Sequence, residues 1–349
     1  MSKNDKRKRT LLIANPGSGK ASDRTALIEK VTGYLQDQGV KLDVAIAKPK
    51  EKAIPIARKA VKAGYKVVIA LGGDDTVEAI IRGMTGSKTK LGIIPAGTAN
   101  NLAISMGIPA DPKEACALIA SGKSRKLDMG MIQVKKGKKF PFFEMASVGI
   151  LSALYPDAED IRKGKLSKIG HAVKTFLTHE TKPKVSMQMD GDSNIAVETM
   201  LVTISNVPLI GMNFLVAPAA RMDDGLMDIS VYPDFSKTEL TAYFGKVINR
   251  GETKDGSIQR YRTSKLKIKS SPKLVVMADG TMLGKGTVRI KVLPGALRVI
   301  APKPGAGVEK PQTEAIKDLP APVSPVVVDL DLNLNRNGTE PVTALGTTQ

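Results

Sequence analysis

The sequence predicts an α/β fold followed by a β fold. The N-terminal part reads as a doubly wound, mostly parallel αβα sheet, and the C-terminal part as an antiparallel β-sandwich domain with helical inserts. Three observations carry this. Residues 10–125 alternate short apolar runs with longer amphipathic ones, the order of a parallel sheet covered by helices on both faces. From about residue 126 the runs become short and strand-like, separated by Gly, Pro, Asp and Asn. Three of the early apolar runs end in small or hydroxyl residues, and turns of that kind on one parallel sheet converge at its carboxyl edge.

The elements follow in order. Strands are expected at 10–14, 42–46, 67–71 and 91–94, and helices at 23–38, 51–63, 76–84 and 112–121. Thr10-Leu11-Leu12-Ile13-Ala14 runs into Asn15-Pro16-Gly17-Ser18-Gly19-Lys20. This is not a P-loop, because Ala14 stands at its first glycine and Ala21 after its lysine. Val67-Val68-Ile69-Ala70 leads into Leu71-Gly72-Gly73-Asp74-Asp75-Thr76, then into a helix with apolar residues at 77, 80, 81 and 84. Strand, glycine turn and helix together offer backbone N–H groups and a positive helix end to a phosphate. Leu91-Gly92-Ile93-Ile94 leads into Pro95-Ala96-Gly97-Thr98-Ala99-Asn100-Asn101. The helix at 112–121 opens with Asp111 as N-cap, Pro112 in the first turn and Glu114 three residues after the cap. Beyond 126, strands are expected at 126–134, 140–148, 184–189, 195–206, 227–232, 264–269, 273–278, 286–293 and 296–301, with helical inserts at 157–179 and 236–249. Residues 1–9 form a basic extension, and the proline-rich, aromatic-free segment 303–349 is expected to be disordered.

Composition narrows the function. A single cysteine, Cys116, excludes an intramolecular disulfide and points to a reducing cytoplasm. No apolar run approaches the roughly 20 residues of a membrane span. The formal net charge of +19 favours polyanionic partners. With aromatics at 4% and no zinc-finger spacing, nucleic acid is excluded in favour of an anionic membrane surface. Between Asp160 and Val185 stand seven Lys or Arg against two acids, Asp160 and Glu180. Leu166, Ile169, Val173, Phe176 and Leu177 share one helical face there, with Lys165, Lys168 and Lys174 at or beyond its edge. That face suits either packing on the β domain or an interfacial helix on anionic phospholipid. The chain is thus expected to be cytoplasmic and peripherally membrane-associated, and a homodimer is an open expectation.

The Asn15-Pro-x-Ser-Gly turn, Gly72-Gly73-Asp74-x-Thr76 and Pro95-x-Gly-Thr-x-Asn100 resemble the diacylglycerol kinase catalytic domain superfamily, which includes sphingosine and ceramide kinases and bacterial soluble lipid kinases. Downstream, Val148-Gly149, Ala217-Pro218, Asp223-Asp224-Gly225-Leu226, Ala278-Asp279-Gly280 and Leu293-Pro294-Gly295-Ala296 continue the resemblance in order. It implies an NAD-kinase/diacylglycerol-kinase-like architecture in three parts: a nucleotide-binding domain at 10–125, a lipid-substrate domain at 126–295, and a last strand, 296–301, that returns to the first domain. It also implies ATP and Mg²⁺ as cofactors and a lipid hydroxyl as acceptor.

Small side chains and backbone donors make Asn15, Ser18, Gly19, Gly72, Gly73, Thr76 and Thr98 the phosphate cradle. The matched motifs add Pro16, Gly17, Asp74, Asp75, Val77 and Glu78. Asp74 is the carboxylate best suited to catalytic Mg²⁺. The resemblance assigns a second Mg²⁺ to the Asp224 carboxylate with the carbonyls of Arg221 and Leu226. The chain also departs from the family: Asp75 replaces a glycine, Glu78 an Asn and Ala79 a Glu, and the turn Asp279-Gly280-Thr281 carries Thr281 where the general-base Glu is expected. A threonine hydroxyl cannot take a proton near neutrality, which leaves Asp75, Asp279 and Asp74 as substitute bases. Two rival readings follow, a catalytically impaired nucleotide- and lipid-binding protein and an NAD kinase.

Overall fold

The computed structural model describes residues 10–15, 24–48, 52–162, 165, 167–179, 183–191, 193–210, 214–233, 235–248 and 257–303. The basic extension, Pro16, Gly17, Ser18 and Gly19 of the first turn, Leu166 and the tail from 304 onward lie outside the described residues.

The first part runs β1 (Thr10–Ala14), α1 (Arg24–Asp37), β2 (Leu42–Ile46), α2 (Ala53–Lys62), β3 (Val67–Gly72), α3 (Asp74–Met84), β4 (Lys90–Pro95), α4 (Asn101–Met106) and α5 (Pro112–Ser121). The strands pair in parallel in the order β2-β1-β3-β4. Alternation along each strand feeds two cores. Leu11, Ile13, Val68, Ala70, Leu91 and Ile93 meet α2, α3 and α4 on one face. Leu12, Ala14, Ile69, Leu71 and Ile94 meet Val31 and Leu35 of α1 and Ala115, Cys116 and Ile119 of α5 on the other. Burial pushes the Cys116 thiol up to about 11. α5 is capped as its sequence requires, with Asp111 Oδ1 accepting the amides of Lys113 and Glu114, both at 2.9 Å.

The second part continues with β5 (Ser124–Val134), β6 (Lys139–Phe142), β7 (Met145–Gly149), α6 (Ile150–Arg162), α7 (Lys168–Thr178), β8 (Lys184–Met189), β9 (Ser193–Ser205), β10 (Leu209–Ile210), β11 (Phe214–Leu215), β12 (Met227–Pro233), α8 (Lys237–Ile248), β13 (Gln259–Thr263), β14 (Lys265–Ser271), β15 (Val275–Ala278), β16 (Thr281–Lys285) and β17 (Val288–Ile300). One layer is β6-β5-β17-β14-β8 and the other β16-β15-β7-β9-β12-β13. β9 belongs to both: residues 193–198 pair with β8, whereas Thr199 and the residues from Val202 onward pair with β12 and those from Leu201 onward with β7. Thr199 sits at its corner and donates to the Leu201 and Tyr232 carbonyls. Phe142, Met187, Val202, Ile204, Ile229, Ile268 and Val288 fill the space between the layers.

Two strands join the parts. β5 and β17 pair antiparallel along nearly their whole length, with one irregularity between Leu293 and Leu297. Beyond it, Arg298 and Val299 pair in parallel with Lys90 and Leu91 of β4. The sandwich is therefore fed by a strand that ends inside the first sheet.

Three of the expected elements differ from their sequence pattern. The helical insert expected at 157–179 is two helices, α6 starting at Ile150 directly after β7, and α7. The run at 140–148 is broken into β6 and β7, because the amides of Phe143, Glu144 and Met145 turn away to bind Asp279. β17 is one strand where two were expected, because Pro294-Gly295 forms a bulge rather than a turn.

Candidate functional site

The parallel order places the ends of β1, β3 and β4 side by side, and hydrogen bonds tie their turns together. Asn15 Nδ2 donates to Thr76 Oγ1 at 3.2 Å. The Asp74 carboxylate accepts the amides of Asn101 at 3.1 Å and Leu102 at 3.0 Å, so it caps α4. Asn100 (φ 52°) closes the third turn, its side chain bonding both the amide and the carbonyl of Gly97. The glycines serve this assembly directly. A Cβ on Gly73 would come within 3.0 Å of the Gly97 Cα, and one on Gly97 within 2.5 Å of the Gly73 Cα. The two turns meet backbone to backbone.

The predicted nucleotide residues are thus distributed unevenly. Asp75 and Thr98 are exposed at the edge, Gly73 and Glu78 are partly exposed, and Gly72, Thr76 and Val77 are buried, with Val77 in the core. Burial pushes the Asp74 carboxyl above its usual range, against the pull of the backbone amides of Leu102, Asn101 and Asn100.

Across from this edge stands the β15–β16 hairpin. Its two-residue tip, Asp279-Gly280, has positive φ at both positions (38° and 64°), the requirement of a type I′ turn. The Asp279 carboxylate points back and accepts three amides, from Phe143 at 2.7 Å, Glu144 at 3.0 Å and Met145 at 3.1 Å. Arg82 of α3 joins the two parts. It donates to Glu78 Oε2 at 3.2 Å, to the Asp279 carbonyl at 2.9 Å and to Thr281 Oγ1 at 3.4 Å, and lies over the Phe140 ring at 4.7 Å. Burial pushes the Glu78, Glu144 and Asp279 carboxyls up. For Glu78, repulsion from Asp279 adds to the rise and Arg82 opposes it. For Asp279, the amide bonds and Arg82 pull the other way.

Sequence reasoning did not single out Arg82 or Glu144. Glu144 had a signal, an acid inside the run Phe140-Pro141-Phe142-Phe143-Glu144-Met145-Ala146. Arg82 had only its i, i+4 spacing from Glu78.

The turn expected to hold a second Mg²⁺ is filled differently. Asp224 Oδ1 accepts the Leu226 amide at 3.1 Å, and Oδ2 is bound by the Arg262 guanidinium, which also lies 3.6 Å from Asp228. Arg221 pairs with Asp223 at 3.6 Å. Among the described residues no group of three or more His, Cys, Asp or Glu is placed to hold a metal.

A doubly wound sheet whose carboxyl edge faces a hairpin of a sandwich, with one strand shared between them, is the two-part architecture that the sequence resemblance implies. The family described as diacylglycerol kinase catalytic domain matches residues 9–132, and the YegS C-terminal NAD kinase beta sandwich-like domain matches residues 147–301. The chain belongs to this diacylglycerol kinase/YegS-like superfamily. A Pseudomonas aeruginosa relative called "Probable lipid kinase YegS-like" is 29% identical over 89% of this chain and 99% of its own. A Mycobacterium tuberculosis relative called "Diacylglycerol kinase" is 27% identical over 84% of this chain and 95% of its own. A solved Bacillus anthracis structure aligns with TM-score 0.68 at 25% identity, covering 85% of this chain and 98% of its own.

Proposed function

We propose that the chain is an ATP-dependent lipid kinase that transfers the γ-phosphate to a hydroxyl of diacylglycerol or a related lipid. Family membership supports lipid-kinase-type phosphotransfer at the level of the family. The observation that carries the reading for this chain is the Arg82 junction. It holds the Asp279–Thr281 hairpin of the β domain against α3, directly behind the turns at the sheet edge. A nucleotide on those turns and an acceptor entering along the sandwich would meet there. Of the proposed cofactors, Mg²⁺ would accompany ATP and neutralise phosphate charge.

Each group has a job in this reading. Asp74, through α4, and Asn15, through Thr76, fix the three turns relative to one another. Asp75 and Thr98, both exposed, are proposed to face the nucleotide. Arg82 supplies positive charge between the two parts of the site and holds the acceptor side in place.

The acceptor side is proposed to rest on a membrane. On α7, Ile169, Val173 and Leu177 are 48%, 48% and 62% exposed at i, i+4 spacing, while Phe176 packs inward beneath Lys237. Lys165, Lys168 and Lys174 lie on the same segment, a composition suited to anionic phospholipid. No helix among the described residues is long and apolar enough to cross a membrane.

A second reading, nucleotide and lipid binding without turnover, is favoured by one observation: Thr281 stands at the base position, with Arg82 donating to its hydroxyl. Radiolabelled ATP offered to a lipid extract and to NAD in parallel tests both. Label in chloroform-soluble product supports the kinase. Label only in NADP makes the chain an NAD kinase, and ATP binding with no transfer makes it a binding protein.

A further inference from the structure

We infer that Glu144 is the general base of the transfer, taking the place of the carboxylate that Thr281 does not supply; this rests on the lipid-kinase reading above. Three other acids of the junction are committed elsewhere. Both Asp279 oxygens are used by three backbone amides, both Asp74 oxygens cap α4, and Glu78 is paired with Arg82. Glu144 differs from these. Its Oε1 is shielded from water and has no hydrogen-bond partner, although the residue as a whole is partly exposed. A buried acceptor left unsatisfied costs about 1–3 kcal/mol, and such a cost is characteristic of sites where the atom has work to do.

Its position is also fixed. The Glu144 amide donates to Asp279 Oδ1 at 3.0 Å, and its carbonyl accepts the Asn206 amide at 2.9 Å. The backbone is clamped on both sides, as a positioned base requires. The charges around the carboxyl come from two elements. α3 contributes Asp74, Asp75 and Glu78, the last paired with Arg82; the hairpin contributes Asp279. Burial, then repulsion from Glu78 and the other acids, pushes the Glu144 carboxyl well above the usual range. A base whose proton affinity lies closer to neutrality accepts a hydroxyl proton more readily than an ordinary carboxylate.

The step balances without a further reactant. The lipid hydroxyl oxygen bonds to the γ-phosphorus, and the bond from that phosphorus to the β–γ bridging oxygen breaks. ADP leaves with the electron pair, and the hydroxyl proton passes to Glu144, which later releases it to water. The products are a phosphate monoester, ADP and a proton.

The test is lipid phosphorylation by the full-length chain, as wild type, Glu144→Gln and Glu144→Asp, with ATP affinity and melting temperature measured for each. General-base help is worth about 10²–10⁴-fold, so Glu144→Gln should lose at least about 100-fold in kcat and the acidic limb of the pH–rate profile, with ATP affinity unchanged. Glu144→Asp, which keeps the carboxylate but shortens its reach, should lose part of the rate and keep the limb. It supplies the answer if the Gln variant does not fold. Wild-type kcat in either variant overturns the assignment while the kinase reading stands. A wild-type chain that binds ATP but phosphorylates no lipid overturns both together.

Discussion

Asp74 is held by two backbone amides of α4, which changes what its removal should do. Asp74→Ala should abolish transfer, and it should also cost about 1 kcal/mol of stability, the usual effect of losing a helix cap. Chemical denaturation alongside the lipid assay checks both; unchanged stability would mean that the amides find other acceptors. Glu144 has its own signature. A carboxyl whose affinity for its proton is raised in the folded chain destabilises the fold progressively as pH climbs through the ordinary glutamate range and on through the raised value. Gln has no such dependence. The melting temperature of Glu144→Gln minus that of wild type should therefore be small at about pH 5 and grow toward about pH 8. A difference that is flat with pH would mean that Glu144 is not strained by its surroundings. The sequence showed the acids of the second turn plainly, because a strand followed by Gly-Gly-Asp is a local pattern. It did not show the repulsion between Glu144 and Glu78, because that interaction spans two parts of the fold and no local period encodes it.

Among the elements, those with a strong local period were legible. β1, β2, α5 and β8 occupy their expected residues, each having a bounded apolar run, an alternation or a cap within its own sequence. β13 and β16 were not legible, because Gln259–Thr263 is largely polar and Thr281–Lys285 is short, mostly exposed and interrupted by Gly284; both are edge strands recruited by their neighbours. α7 yields a prediction at this scale. Binding to anionic vesicles should weaken as salt rises, since exposed charges are screened over roughly 8 Å at physiological ionic strength. It should weaken further when Lys165, Lys168 and Lys174 become Gln, and again when Ile169, Val173 and Leu177 become Ser. Equal binding to neutral and anionic vesicles at every salt concentration would remove the electrostatic part. The Asp224 turn yields another. Arg262→Ala leaves Asp224 and Asp228 without their cation and should cost about 1 kcal/mol, a modest figure because Arg262 is 41% exposed. Added Mg²⁺ should raise the melting temperature of the variant and not that of wild type. An equal rise in both would place the ion elsewhere.

At the scale of the whole molecule, the described residues belong to one compact unit. The change of texture near residue 126 suggests two bodies in series, yet β5 and β17 run from one into the other as a paired ribbon. Calorimetry should therefore record one unfolding transition for both parts; two resolved transitions would show that the ribbon does not couple them. The ribbon also limits how this protein can be taken apart. A gene fragment ending at the texture change would leave β4 with an unpaired edge where β17 belongs, open to pairing with another chain. The complementary fragment would carry a strand end built for a sheet it no longer has. The two halves are therefore poor candidates for independent reuse or exchange between proteins, and a split version should recover its fold only when both pieces are supplied together.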